Sequence, residues 1–185
     1  MKGRMAIIIL IALVLGWIYY TNQSAVPTSE PDTYTSLSRE LLSQLNEVRR
    51  QYGLPPFVEN PLLTRAAFAH SLDMAFNNFF SHIGSDGSDL SNRLLRVGYH
   101  YSICAENILV TTTPTFSSVV MIWFIPIPIP QIPKSDYELA KEIVNSWMNS
   151  PGHRANILNP ALHEIGIGIA AKGSKLYVTI DLGSR

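Results

Sequence analysis

The sequence predicts an α+β domain in which helices bracket a small, mostly antiparallel sheet. Segments with a single apolar stripe of helical spacing come before two segments that alternate apolar with small or polar residues. The turn Lys172-Gly173-Ser174 separates those two segments and indicates a β-hairpin. Helices that pack on such a hairpin favour a layered α+β architecture.

Four helices are predicted, and most have a recognisable start or stop. The first ends at Gly53, because two prolines follow and cannot continue it. Asn60 is a suitable N-cap for the second, which has proline in its first turn. Ser135 and Glu138 form a capping box at the start of the last. The predicted helices are Ser36–Tyr52, Pro61–Asn78, Leu90–Val97 and Asp136–Met148.

The two strands of the hairpin cover 164–170 and 176–182. In the first strand, three isoleucines alternate with Gly166 and Gly168. The isoleucines predict a buried face, whereas the glycines leave the other face bare, so another backbone or a ligand can approach it closely. A further short strand is predicted after Asn107.

An uncharged segment near the N-terminus predicts a membrane anchor. Met5–Tyr20 follows the cations Lys2 and Arg4, and as a helix it spans about 24 Å. Aromatic residues at its distal end suit the headgroup region, and no small-x-small cleavage site follows. We interpret residues 1–20 as a transmembrane signal anchor, with a cleaved signal as the alternative. The positive-inside rule then places the domain outside the cytoplasm, single-pass at the cell membrane, or secreted after cleavage.

The rest of the chain is predicted to be a linker and one domain. Residues 21–34 are rich in Ser, Thr and Pro, and residues 35–185 are enough to bury a core. The formal net charge is zero, and the absence of a basic stripe argues against nucleic-acid binding. Cys104 is the only cysteine, so no intramolecular disulfide forms, and a buried, inert thiol is favoured over a nucleophile.

Four side chains of types that can bind a metal or transfer a proton stand in polar, turn-rich segments: His82, Glu106, His153 and Glu164. Imidazoles and carboxylates suit a divalent first-row metal, above all zinc, where three or four converge. The same groups also suit general acid–base chemistry. Their separations of 24, 47 and 11 residues match no local ligand signature. From the residues alone, structural roles for both histidines and both carboxylates therefore stay open.

Seven motifs in a fixed order resemble one known family. The motifs are NEVRRQYGLPP (46–56), AHSLDMA (69–75), FFSH (79–82), CAENI (104–108), SWMNSPGHRANILNP (146–160), HEIGIGIA (163–170) and YVTIDLG (177–183). Together they resemble the bacterial branch of the CAP superfamily, which comprises cysteine-rich secretory proteins, antigen 5 and pathogenesis-related 1 proteins. The resemblance covers Ser36 to Gly183 except for one insertion.

The resemblance implies an α-β-α sandwich with a central cleft lined by two histidines and two acidic residues. In related proteins that cleft can hold a divalent cation. By the matching motifs, the resemblance implies that His82, Glu106 and His153 line this cleft. The second acid is carried over to Glu164, because the helix before His153, where animal and plant relatives have theirs, has no acid at that place. Ile180 replaces a glutamine of many bacterial relatives, so we expect different polarity on that side of the sheet.

The insertion, residues 109–134, is far longer than the resemblance implies. Its middle is apolar, and prolines at 126, 128, 130 and 133 exclude a regular helix or a central strand and favour an extended, PPII-like segment. Two interpretations stay open: a flap buried on its own domain, and an exposed loop that contacts the membrane or a partner. The residues predicted for that contact are Met121, Trp123, Phe124, Ile125, Ile127 and Ile129.

We expect a non-enzymatic binding domain whose cleft holds a metal or a small ligand, with lipid, cell wall or protein as its partner. The alternatives are a hydrolase in which the cleft activates water, with or without zinc, and a purely structural or adhesive domain. No nucleophile elbow is present, and an HExxH zinc motif fails because Ile167 stands in place of its second histidine. His70 lies on the apolar stripe of the second helix, so we interpret it as a hydrogen-bonded core histidine.

Overall fold

The computed structural model describes residues 34–112, 116–122, 125–130 and 134–185, and between 116 and 130 it describes the backbone alone. The predicted anchor (residues 1–20), the linker apart from Tyr34, and Trp123 and Phe124 of the insertion lie outside the described residues. Among the residues that are described, no helix is both long enough and apolar enough to cross a bilayer. The anchor therefore stays a prediction.

The described part of the chain forms five helices, four of them where the sequence predicts them. They are α1 (Thr35–Gln51), α2 (Pro61–Asn77), α3 (Leu90–Arg96), α4 (Asp136–Asn149) and α5 (Pro151–Ile157). The predicted caps are present. The side chain of Asn60 accepts a hydrogen bond from the backbone N–H of Leu62 (2.9 Å), and Ser135 and Glu138 form the reciprocal capping box. Helix α5 has seven residues, too few to show an apolar stripe, and the sequence pattern does not predict it.

Six strands are described, and four of them form the central sheet. The strands are β1 (Val58–Glu59), β2 (Ile103–Thr112), β3 (Phe116–Ile122), β4 (Ile125–Pro130), β5 (Glu164–Lys172) and β6 (Lys175–Ser184). The central sheet has the order β1-β5-β6-β2. Strands β5 and β6 form the predicted hairpin, β2 pairs antiparallel with β6, and β1 pairs parallel with β5. The sheet is therefore mixed, and mostly antiparallel as predicted. Strand β2 is longer than the predicted strand and begins before Asn107.

Helices pack on both faces of this sheet. On one face, the isoleucines of β5 join the apolar stripes of α1 and α4 in the largest core cluster. On the other face, α2 crosses directly over the two glycines of β5. A methyl group built on Gly166 would lie 2.0 Å from the backbone of Leu63, and one on Gly168 would lie 2.1 Å from the backbone of Ala67. The bare face of β5 is thus used for the close approach of a helix backbone.

A buried arginine joins α1 to distant loops. Arg49 is fully buried, and its guanidinium carbon lies 3.9 Å from the centre of the Phe57 ring. Its nitrogens donate hydrogen bonds to four main-chain carbonyls. The acceptors are the carbonyls of Pro55 (2.7 Å), Ile157 (2.8 Å), Asn159 (3.1 Å) and Leu162 (3.0 Å). One side chain therefore connects the loop after α1, the end of α5 and the segment before β5.

Residues 109–112 of the predicted insertion belong to β2 of the central sheet, and β3 and β4, which follow, form a separate antiparallel pair. The extended backbone favoured by the prolines is present, but the two strands pair with each other instead of forming a PPII segment. A pair of strands has no central member, so alternate prolines can be accommodated where no N–H is required. The predicted membrane or partner contact through Met121, Ile125, Ile127 and Ile129 stays a prediction.

The residues from 31 onward form one compact unit. This unit contains all the described helices and strands and the three clusters of buried apolar side chains. Because its core is internal to residues 31–185, this part of the chain is expected to fold without the segment that precedes it.

Candidate functional site

The centre of the candidate site is a hydrogen bond between His82 and Glu106. Nδ1 of His82 lies 2.7 Å from Oε1 of Glu106. An ionised carboxylate only accepts hydrogen bonds, so Nδ1 carries the hydrogen, and in the neutral ring Nε2 keeps its lone pair. The side chain of His82 is 55% exposed, whereas that of Glu106 is 3% exposed. An accessible imidazole is thus held in place by a buried carboxylate.

The loop that carries His82 begins where α2 ends. Asn78 has a left-handed backbone (φ 54°), which ends the helix and turns the chain. Two side chains then hold this loop through its main-chain carbonyls. Nε2 of His70 lies 2.9 Å from the carbonyl oxygen of Ser81, and Arg93 donates to the carbonyl oxygen of His82 (3.0 Å). The position of His82 therefore depends on both α2 and α3.

Arg93 of α3 also neutralises Glu106. Its Nη2 donates to Oε2 of Glu106 at 2.5 Å, and both side chains are buried. Burial alone would raise the pKa of Glu106, but the hydrogen bond from His82 and the charge of Arg93 outweigh it and lower that pKa. Glu106 is therefore ionised at neutral pH. The motifs of the sequence do not single out Arg93.

His153 is placed beside this pair by the docking of α5 on β2. The Asn107 side chain donates to the main-chain carbonyl of His153 (3.1 Å), and Asn156 donates to the Asn107 side chain (2.8 Å) and to the main-chain carbonyl of Glu106 (3.3 Å). Burial lowers the pKa of His153, and the nearby charge of His82 lowers it further. His153 is consequently a neutral imidazole at neutral pH.

Two further ionisable residues lie beneath Glu106. Asp181 is fully buried opposite Glu106 in the β2–β6 register, and within the described residues neither of its carboxyl oxygens has a hydrogen-bond partner. Burial, and then the charge of Glu106, raises the pKa of Asp181 well above its ordinary value, so this acid is neutral at neutral pH. His70 is buried and hydrogen-bonded, which confirms its interpretation as a core histidine, and burial lowers its pKa.

Glu164 belongs to a different cluster at the start of β5. Its carboxylate accepts hydrogen bonds from the Asn60 amide (2.9 Å), the Tyr99 hydroxyl (2.6 Å) and the Arg185 guanidinium (2.9 Å). Its hydrogen-bond partners are thus residues of the first half of the fold and the end of β6, and not the histidines of the cleft. The structure joins His82 to Glu106 and holds the backbone of His153 against β2. It places Glu164 among Asn60, Tyr99 and Arg185.

Replacing Glu164 with Gln is expected to remove stability in a pH-dependent way. Burial opposes its ionisation, but the hydrogen bonds from Arg185, Tyr99 and Asn60 lower the pKa of Glu164 to about 2. The folded-state pKa lies below the ordinary value, so the stabilisation is present at neutral pH and is lost as the pH falls toward 2. Because this carboxyl is partly exposed, we expect the free energy of unfolding at pH 7 to fall by about 1 kcal/mol in Glu164→Gln.

Urea unfolding of the wild type and of Glu164→Gln, at pH 7 and near pH 3, measures the difference between their free energies of unfolding. Glu59→Gln, an exposed glutamate of the neighbouring strand β1, is the matched control and should change little at either pH. If Glu164→Gln lowered the free energy of unfolding by the same amount at both pH values, the stabilisation could not come from the ionised carboxylate of Glu164.

The arrangement offers two imidazoles to a metal or a polar ligand. Both oxygens of Glu106 are already used, Oε1 by His82 and Oε2 by Arg93. The carboxylate therefore supports a histidine from behind, as carboxylates do behind metal-binding histidines. Within the described residues, no three His, Cys, Asp or Glu side chains are arranged to hold a metal. A metal at His82 and His153 would take its remaining ligands from water or from a bound molecule.

Residues 42–182 match the family described as CAP, the cysteine-rich secretory protein family. Two Bacillus subtilis (strain 168) proteins are similar in sequence: YkwD, 28% identical over 147 residues, and the membrane protein YlbC, 26% identical over 138 residues. These alignments cover 80% and 75% of this chain, but 48% and 33% of the relatives. The chain therefore spans about half of YkwD and a third of YlbC.

Solved structures show the same fold. An extracellular protein with an SCP domain from Bacillus anthracis str. Ames has a TM-score of 0.60 at 24% identity, over 80% of this chain and 40% of its own. An outer surface protein from Borrelia burgdorferi has a TM-score of 0.64 at 16% identity, over 82% of this chain and 95% of its own. Such identities show a shared fold and no more. By its sequence match over most of the domain, the chain belongs to the CAP, or cysteine-rich secretory protein, family.

Proposed function

We propose that this chain is an extracytoplasmic binding protein whose cleft holds a divalent metal or a small polar ligand. The observation that carries the proposal is the exposed His82, oriented by the buried Glu106 beside the neutral His153. An imidazole with a carboxylate behind it is oriented to bind a metal through its other nitrogen. Zinc, which accepts imidazole and water together, is the metal that best suits two histidines.

A location outside the cytoplasm is supported by three observations. The B. anthracis neighbour is named as an extracellular protein, and YlbC is named as a membrane protein. The uncharged segment Met5–Tyr20 has the composition of a membrane anchor. We propose that this segment tethers the domain to the outer side of the membrane, and that the apolar insertion contacts lipid or a partner there.

Calorimetric titration of Zn²⁺ into residues 31–185 tests the cleft. We expect saturable binding by the wild type and at least about a tenfold loss of affinity in the His82→Ala/His153→Ala variant, because both direct ligands are removed. The variant should keep its fold, since His82 is exposed and His153 half-buried.

The matched control is His100→Ala/His163→Ala, which removes two exposed histidines elsewhere on the domain. It should bind Zn²⁺ like the wild type. Equal loss in both double variants would mean nonspecific binding to surface histidines. A folded wild type that binds no Zn²⁺ would contradict the proposed metal site. The proposal of a small polar ligand in the cleft would then be tested with the same variants.

A further inference from the structure

Exposed apolar side chains surround the end of α2. Phe76 is 60% exposed, Phe80 is 50% exposed and Ile83 is 48% exposed. All three lie within eight consecutive residues, at the last turn of the helix and in the loop that follows it. Large apolar side chains exposed close together mark surfaces that contact lipid or protein.

Two lysines of the β5–β6 turn lie beside this end of α2. Nζ of Lys172 donates to the carbonyl oxygen of Phe76 (2.8 Å) and lies 6.0 Å from the centre of the Phe76 ring. Nζ of Lys175 lies within hydrogen-bond distance of the side-chain oxygen of Asn78 (3.3 Å). Both acceptors are uncharged, and segments 76–83 and 172–175 contain no Asp or Glu. The two positive charges are therefore next to apolar rings and are not neutralised by these acceptors.

We propose that this surface docks the domain on an anionic lipid bilayer. We call it the Phe76 surface, and it consists of Phe76, Phe80, Ile83, Lys172 and Lys175. Aromatic rings are favoured at the level of the headgroups, and lysine stems can lie along apolar surface while their ammonium groups meet anionic lipids. A protein partner fits less well, because lysine is depleted from the cores of protein interfaces.

The position of this surface in the chain supports a membrane as its occupant. Thr112, the last residue of β2, pairs with Lys175 across the sheet, so the part of the insertion that follows β2 in the chain begins at this corner of the fold. Only residues 21–34 separate the uncharged segment Met5–Tyr20 from α1, and at full extension they reach about 50 Å. A domain tethered at that distance meets the bilayer at a high effective concentration, so weak docking suffices.

Docking would also determine where the cleft opens. His82 lies between Phe80 and Ile83 in the chain, and its side chain is 55% exposed. A domain resting on the Phe76 surface therefore holds His82 near the headgroups. The inference concerns a surface and does not depend on whether the cleft binds a metal.

Co-sedimentation of residues 31–185 with lipid vesicles tests the inference. We expect binding to phosphatidylcholine vesicles that contain about 30% phosphatidylglycerol, and binding weaker by about tenfold or more to phosphatidylcholine alone or in about 0.5 M salt. The variants Phe76→Ser/Phe80→Ser and Lys172→Gln/Lys175→Gln should each lose about tenfold or more in partitioning.

A second aromatic–lysine pair on the same domain provides the matched control. Nζ of Lys141 also lies 6.0 Å from a ring centre, that of the exposed Tyr137 on α4. The variant Tyr137→Ser/Lys141→Gln should bind vesicles like the wild type. Circular dichroism confirms folding of each variant, and Phe80→Ser/Ile83→Ser, which leaves α2 and both lysines intact, provides an independent test should the Phe76 variant unfold.

Absence of binding to anionic vesicles by the folded wild type would overturn the inference. So would binding that survives the loss of the aromatic pair and of the lysine pair. Zn²⁺ affinity should be unchanged in Lys172→Gln/Lys175→Gln, whose residues lie outside the loop that carries His82, and this separates the inference from the proposed metal site.

Discussion

The variants Gly166→Ala and Gly168→Ala are expected to prevent the domain from folding stably. A Cβ at Gly166 would lie 2.0 Å from backbone atoms of Leu63 and Thr64, and a Cβ at Gly168 would lie 2.1 Å from the backbone of Ala67. These atoms belong to α2 and cannot rotate away as a side chain can. Overpacking costs about 1–3 kcal/mol where side chains adjust, so displacement of a whole helix should cost more than about 3 kcal/mol.

Urea unfolding followed by circular dichroism measures this cost. Gly152→Ala is the matched control, because nothing lies within 4 Å of a Cβ at Gly152. Alanine is also the better helix former, so the control should be neutral or slightly stabilised. If Gly166→Ala unfolded at the same urea concentration as the control, α2 could not lie as close to β5 as the structure places it.

These glycines also show which parts of the fold local sequence can predict. Alternation of isoleucine with glycine in β5 predicts both a buried face and a face open to a backbone, and α2 occupies the open face. The caps at Asn60 and Ser135 are predicted for the same reason: their rules involve neighbours within three residues. Cys104 is partly buried, and burial raises the pKa of its thiol, which favours the predicted inert thiol over a nucleophile.

Buried charges could not be predicted in the same way. Arg49 is fully buried, but one of its acceptors, the carbonyl of Ile157, is 108 residues away, so no local pattern indicates this burial. Arg93 meets Glu106 only through the packing of α3 on the edge of β2. For Asp181 a signal was available, since it interrupts an apolar strand, and in the structure that strand is buried on both faces from Leu176 to Ser184.

In the candidate site, too, some residues are predicted by sequence motifs, whereas the contacts of others depend on residues that are distant in the chain. Sequence motifs select His82, Glu106 and His153. In the structure His82 is hydrogen-bonded to Glu106, and Asn107 of the same strand binds the main-chain carbonyl of His153. Motif resemblance also assigns Glu164 to the cleft, but its hydrogen bonds go to Asn60, Tyr99 and Arg185. Those partners come from three different elements or loops, and no spacing along the chain indicates that they converge. The assignment of Glu164 to the cleft therefore stays a prediction.

The second large effect is expected at Arg49, where replacement with Ala should destabilise the domain by about 3–5 kcal/mol. The change removes a fully buried guanidinium that donates to four carbonyls, and it leaves a cavity over the Phe57 ring. Buried carbonyls without donors carry the full cost of desolvation. Arg49→Lys should recover only part of the loss, because an ammonium group has three donors and no planar fork.

Chemical unfolding of the wild type, Arg49→Ala and Arg49→Lys measures the effect. The variant Arg50→Ala is the neighbouring control. Arg50 is 74% exposed and pairs with Glu47 on the same helix, so its loss should leave the unfolding midpoint unchanged. Equal midpoints for the Arg49 and Arg50 variants would refute the role given to the buried guanidinium. Hydrogen exchange adds a second readout. Because Arg49 holds the carbonyl of Ile157, its loss should loosen α5, the helix that carries His153, before the rest of the domain.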